Sequence, residues 1–362
     1  MNVVIAFPSL FTDEWALART IQKNVRGTKS VSIEDNCIVC EAEAVVELAS
    51  ELAGMFGIET VAIAQKASRN FSDLITAIVE VGSKVVFPGD RFYVKVIILQ
   101  SAAKRDYAPR DIEFASSSKL AVRLSSINAL PAKTEKDASR LILAVVGKES
   151  AYVCFQLMSG PGGLVAGSLG TVLGSIHDSL SCLACLMAAK TGFRCTTIVL
   201  PYVDESELEI NAKLVELFAT RTGTKKQTIL AMPINVSAKG MVSALLKEKI
   251  ISRILTQCQN NRVIIPLTAA VHPMWFIEPI LRETILAGMM PFAPLLFLSS
   301  ELGRYAQEAR IDANFSAMKV AKKKLQRYSN AIDSEARLAI KHTKRLELKI
   351  GPNYLHDIID SI

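Results

Sequence analysis

The sequence predicts an α/β protein, with an α+β amino-terminal half followed by a doubly wound parallel sheet. Three observations point there. Short β-prone runs and one-sided helical patterns alternate through the first 150 residues. From Gly160 onward the order becomes strand, helix, strand, helix, with strands of nearly continuous apolar character, the pattern of a parallel sheet covered on both faces. Half of the 362 residues are hydrophobic, enough for two or three cores and too many for extensive disorder.

The elements follow in order. Val3–Phe7 is a first strand, and because no basic segment precedes it, it does not read as a signal peptide. Asp13 caps a helix to about Asn24, with Trp15, Ala18 and Ile21 at helical spacing. Val31–Ile33 and Cys37–Glu41 pair around an Asp35-Asn36 turn. Ala44–Phe56 is a helix closed by Gly57, and Thr60–Ala64 a strand. That β-α-β-β-α-β order is the split, ferredoxin-like unit. Next come a helix Leu74–Val81 capped by Ser72, a strand Arg91–Leu99, a helix Ile112–Leu124, and a hairpin of Leu141–Val146 with Ala151–Leu157. In the second half, strands Thr171–Ile176, Cys195–Leu200, Thr228–Pro233 and Val263–Leu267 alternate with helices Ser179–Lys190, Glu207–Thr222 and Ala238–Cys258. A basic helix over Ala317–Lys349, broken near Asn330, completes the chain.

Charge is segregated. Residues 1–65 carry 4 basic and 9 acidic side chains, residues 66–150 carry 14 and 9, and residues 319–349 carry 10 and 3. The two basic regions exceed the whole-chain surplus of +7 and favour a polyanionic partner, because clustered Lys and Arg release counterions from a phosphate backbone. No apolar run approaches the roughly eighteen residues of a membrane span, and the basic helix lacks the bulky apolar face of a membrane-surface binder. Seven cysteines without a disulfide framework suggest a reducing, cytoplasmic setting.

The candidate site is the stretch GPGGLVAGSLGTVLGSIHDSLSC, Gly160–Cys182. Gly174-Ser175-Ile176-His177-Asp178-Ser179 lies at the carboxyl end of the parallel domain's first strand and opens a helix, where unpaired N–H groups and the helix dipole favour phosphate. Asp178 or Ser179 can cap that helix or touch a nucleotide and its metal. An ordinary capped turn is the competing explanation.

Gly160-Pro-Gly-Gly-Leu164, Gly167, Gly170-Thr-Val-Leu173 and Asp178-Ser179 resemble the passage into the ATP loop of the tRNA 4-thiouridine sulfurtransferase family. Phe56-Gly57-Ile58 with Thr60–Ile63 resembles that family's passage from its ferredoxin-like domain into its THUMP domain. Arg91–Val96 is similar to the first THUMP strand, and Pro291–Leu296 with Glu301–Ile311 to its proline-then-helix element. The resemblance implies a ferredoxin-like domain over 1–65, an RNA-binding THUMP domain over 66–165, a PP-loop domain over 166–316 and a basic extension over 317–362. It also implies tRNA as partner, ATP with Mg as cofactor, adenylation of a uridine, and sulfur delivered by a cysteine persulfide. A sulfur-donor or catalytic partner protein, and a homodimer, are compatible with it. Against the family's S-G-G-x-D-S loop, Asp178 and Ser179 match, but Gly174 stands at the serine and Ser175 and Ile176 at the two glycines, so the ATP loop is degenerate. Bare backbone is what a phosphate needs there, and β-branched Ile176 cannot supply it.

Cys182 and Cys185 share a helix face just past the loop, and Cys258 ends a helix; these are the persulfide candidates, with small core packing as the alternative. Cys37-x-x-Cys40 falls on a strand, where residues three apart point to opposite faces, and no His pair supports zinc, so no metal is expected. Lys95, Lys104, Arg105, Arg110, Lys119 and Arg123 are the candidate RNA-phosphate contacts, with Lys119 and Arg123 on one helix face. Lys322, Lys323, Lys324, Arg327, Lys341, Lys344 and Arg345 form a second basic stripe. Two functions stand: a tRNA-binding protein that keeps the ATP-type fold as scaffold, and an active ATP-dependent tRNA sulfurtransferase with a variant loop.

Overall fold

Alternating burial builds the first sheet. In the computed structural model, which describes residues 2–102, 107–224, 226–258, 260–298, 300–312 and 315–349, the chain forms two units, Met1–Gly162 and Gly163–Ile362. The first begins β1 (Asn2–Pro8), α1 (Glu14–Asn24), β2 (Thr28–Glu34), β3 (Cys37–Ala42), α2 (Val45–Leu52) and β4 (Ile58–Ala67). These strands pair antiparallel in the order β2-β3-β1-β4, the split arrangement expected from the sequence. Asp13 caps α1, accepting from the Trp15 and Ala16 amides. Trp15 itself is exposed, and the buried stripe of α1 is Leu17, Ala18 and Ile21.

The unit continues with α3 (Phe71–Val85), β5 (Arg91–Ile98), α4 (Pro109–Arg123), β6 (Leu130–Pro131), β7 (Arg140–Val146) and β8 (Ala151–Ser159). All eight strands join one sheet, β2-β3-β1-β4-β8-β7-β5-β6. Strand period two divides its core. Ile142, Ala144 and Val146 of β7 pack with α3 and α4. Leu143 and Val145 turn to the other face, into a cluster with Val3, Ile5, Cys37, Ala62 and Tyr152. Two boundaries differ from expectation. Asn70 rather than Ser72 caps α3, because its side chain reaches the Ser72 amide. The second helix stops at Leu52, and Gly57, at φ +92°, instead turns the chain into β4.

The second unit runs β9 (Thr171–Ser175), α5 (Ser179–Lys190), β10 (Arg194–Tyr202), α6 (Glu205–Thr222), β11 (Lys226–Pro233), α7 (Gly240–Gln257), β12 (Arg262–Ile264), α8 (Met274–Leu286), β13 (Met290–Phe292), α9 (Leu302–Ala309), α10 (Lys322–Gln326), α11 (Ser329–Lys341) and β14 (Lys344–Lys349). The sheet order is β13-β12-β9-β10-β11-β14, parallel throughout except for β14. Strands are added to one side of β9 and then, after α7, to the other. The strand order therefore reverses between β9 and β12, where a doubly wound sheet opens its ligand crevice.

The carboxyl-terminal region corrects the sequence reading. A basic helix over Ala317–Lys349 does not form. α10 and α11 are separate, α11 ends at Lys341, and Lys344–Lys349 is an edge strand antiparallel to Lys226–Ala231 of β11. The cause is visible in KRLELK, where Leu346 and Leu348 alternate with charges at the period of a strand. No helix among the described residues is long and apolar enough to cross a membrane.

Candidate functional site

The loop after β9 occupies that reversal point, and its backbone is already in use. Gly174 is still within the strand. A Cβ there would lie 2.8 Å from Cys185 Sγ and 3.0 Å from Cys195 Sγ, so this glycine lets α5 lie close against the sheet. Ile176 is fully buried, and its N–H donates to Val199 O at 3.0 Å, carrying the strand pairing one residue beyond β9. Only His177 and Asp178 remain as loop.

Ser181 closes it. Asp178 caps α5 by accepting from the Ser181 amide at 2.7 Å. The Ser181 hydroxyl accepts from the His177 amide at 2.9 Å and the Asp178 amide at 3.0 Å, and donates to Asp178 O at 2.9 Å. A hydroxyl has one proton and two lone pairs, and all three are engaged. Ser179 Oγ donates to Asp312 O at 2.7 Å.

The His177 ring is buried between two elements. Nδ1 lies 2.8 Å from Ser175 Oγ and Nε2 lies 2.7 Å from Glu248 Oε1, on α7. With the Glu248 carboxylate ionised, Nε2–H donates to it and the Ser175 hydroxyl donates to Nδ1. From the same turn of α7, Lys247 Nζ donates to His177 O at 3.1 Å and pairs with Glu207 at the start of α6. Glu207 also accepts from the Val203 amide, and Asp204 accepts from the Glu207 amide. Burial lowers the Lys247 pKa, against the pull of Asp178, Glu248 and Asp204. Desolvation pushes the Asp178 carboxyl up, but His177, the Ser181 hydrogen bonds and Lys247 outweigh it and hold it below the ordinary carboxylate value.

These residues do not fit the triphosphate of ATP. Three amides that would face phosphate, those of Ile176, His177 and Asp178, already bond to protein. Four carboxylates, Asp178, Asp204, Glu207 and Glu248, surround Lys247, so the loop repels an anion. Beside Glu248 lies a void of about 10 Å³, at most one water in size. A larger cavity of about 240 Å³ is lined by Lys249, Trp275, Phe276, Lys322 and Leu325, among α7, α8 and α10 rather than at the loop.

The other predicted residues are dispersed. Cys182 and Cys185 are fully buried, their Sγ atoms directed to Leu214 O at 3.5 Å and Ser175 O at 3.6 Å. Burial pushes the Cys182 thiol well up, and the Cys258 thiol up as well. Cys258 caps the carboxyl end of α7 and leads into the start of β12, which puts it at the opposite end of the sheet from His177. Lys95 pairs with Glu135 at 2.7 Å. Arg110, Lys119 and Arg123 are exposed on α4, and none pairs with a carboxylate among the described residues. Lys104 and Arg105 lie outside the described residues. Lys322, Lys323, Lys324 and Arg327 sit on and just after α10, Lys341 ends α11, and Lys344 and Arg345 lie on β14, so they form no single helical stripe.

Sequence reading missed Glu248, Lys247, Ser181 and Glu207. Glu248 left one signal: it shares the inward face of α7 with Leu245, Ser252 and Leu255, an acid where the pattern requires an apolar residue.

No family model and no curated protein matches the sequence. Among solved structures, a 4-thiouridine synthetase in complex with RNA and bound ATP matches with a TM-score of 0.69 at 13% identity, over 96% of this chain and 100% of that one. PH1313 from Pyrococcus horikoshii Ot3 matches with a TM-score of 0.64 at 20% identity, over 85% of this chain and 99% of that one. The chain shares the fold of these two structures. At such identities the likeness is one of architecture, and the chemistry of the loop rests on the residues described above.

Proposed function

We propose that the chain is a THUMP-type, tRNA-binding protein of tRNA modification, whose PP-loop-type domain acts as scaffold rather than as an ATP-consuming centre. In this reading residues 1–65 and 66–165 are the ferredoxin-like and THUMP domains that engage tRNA. Residues 166–316 keep the fold of the ATP domain, and 317–362 extend it. Arg110, Lys119 and Arg123 contact phosphates, since they are exposed cations without carboxylate partners among the described residues, and Lys104 and Arg105 belong to the same group by sequence. Lys95 joins them once it leaves Glu135. The second basic group, from Lys322 to Arg345, adds non-specific affinity. Sulfur chemistry, where it occurs, belongs to a partner protein, because burial raises the thiols of Cys182 and of half-buried Cys258 and leaves them poorly ionised.

The observation that carries this reading is the closed loop: Ser181 and Val199 take the backbone donors that a nucleotide would need. The test is 4-thiouridine formation on tRNA by the purified protein with ATP and a sulfur donor, alongside tRNA binding. Binding without thiolation is expected. Thiolation that needs ATP would establish the active sulfurtransferase instead.

A further inference from the structure

Three ligating atoms meet where the ATP loop has closed. His177, Asp178 and Glu248 each offer one ligand atom, and these atoms all lie within 4.8 Å of one another, although the sequence pattern predicts no metal. From Nε2 the distances are 2.7 Å to Glu248 Oε1 and 4.0 Å to Asp178 Oδ1. Around a tetrahedral zinc ion with bonds near 2.1 Å, ligand atoms sit about 3.4 Å apart, so these two separations bracket what the ion requires. We propose that His177, Asp178 and Glu248 form a binding site for a divalent transition-metal ion of the zinc class, independent of nucleotide.

Four features support the assignment. The donor set, one imidazole and two carboxylates, is one that first-row transition metals prefer over magnesium. Ser175 Oγ, 2.8 Å from Nδ1, supplies the acceptor that a ligating imidazole needs on its second nitrogen. With an ion on Nε2 the ring carries its proton on Nδ1, and Ser175 Oγ accepts that N–H as a hydrogen bond. The surplus of carboxylates over Lys247 provides the charge that a dication offsets. Geometry also leaves an opening, since Asp178 is half-exposed while His177 and Glu248 are buried, so the ion's remaining position faces solvent. Glu248 and Ser175 are otherwise costly residues for a core, and a metal gives both a purpose.

The test is titration of chelator-treated, tag-free protein with Zn²⁺ by calorimetry, with Co²⁺ as the spectroscopic probe. One Zn²⁺ per chain is expected, together with the visible absorption of a low-symmetry Co²⁺ site. His177→Gln and Glu248→Gln should each weaken binding by roughly tenfold or more. Asp178→Asn keeps the helix cap, because Asn caps as well as Asp, and should also weaken binding while leaving the fold intact by circular dichroism. Absence of stoichiometric Zn²⁺ binding by the wild-type chain would overturn the proposal. So would affinity unchanged in folded Asp178→Asn and His177→Gln proteins, which would leave the His177–Glu248 pair a structural pin.

Discussion

Replacing Ser181 with alanine tests whether the loop is closed by its own side chains. The hydroxyl accepts from the His177 and Asp178 amides, and the residue is fully buried, so alanine leaves two backbone donors without partners. An unsatisfied buried group costs about 1–3 kcal/mol, and the Asp178 amide is only partly buried, so the sum is about 2–4 kcal/mol. For a unit of this size, each kcal/mol lowers the melting temperature by about 2–4 °C, giving a drop of roughly 4–16 °C. Urea denaturation followed by far-UV circular dichroism measures it, with an unchanged m-value as the sign that folded-state stability alone has moved. A loss smaller than about 0.5 kcal/mol, the level of an ordinary surface change, would contradict a closed loop. The two amides would then face solvent, as in a loop open to phosphate.

Further outcomes follow from the same geometry. Gly174→Ala forces a Cβ against Cys185 and Cys195 and should cost about 1–3 kcal/mol by the same denaturation assay, as overpacked cores do. Asp178, whose carboxyl is held low in the folded state, contributes stability in full above about pH 4, the ordinary carboxylate value, and loses it as the pH falls through its depressed value; the Asp178→Asn protein should therefore show a flatter acid limb in a pH series of denaturation midpoints. In the native protein Cys182 and Cys185 should react with a thiol reagent only on unfolding, and half-buried Cys258 ahead of them, as read by mass spectrometry of timed labelling. Lys119→Ala with Arg123→Ala should weaken tRNA binding and reduce the slope of log affinity against log salt by about one unit for each phosphate no longer neutralised; an unchanged slope would remove α4 from the interface.

Much of the architecture was legible because period and punctuation agree. In the first half, Asp13 and the Asp35-Asn36 turn fixed where elements begin and end, and Asp35 takes the left-handed φ of +49° that such a turn requires. In the second, apolar strands between long helices announced the parallel sheet. The carboxyl-terminal region was misread because its lysines suit either helix or strand, and only pairing with β11 decides. At the site, the sequence showed that Ser175 and Ile176 replace glycines, which locates the defect. It did not show what fills the gap. Ser181 is three residues from Asp178 and reads as a capping pattern, but Glu248, Lys247 and Glu207 arrive from other helices. Their convergence on His177 is a property of strand order, which local pattern does not encode.

The most direct measurement is equilibrium binding of Mg-ATP and of tRNA to the same preparation across a salt series. The proposed function, a closed loop in one unit and tRNA engagement by the other, predicts tRNA binding that weakens steeply as salt rises, and no saturable ATP binding with or without tRNA. Stoichiometric ATP binding, or tRNA affinity indifferent to salt, would contradict it.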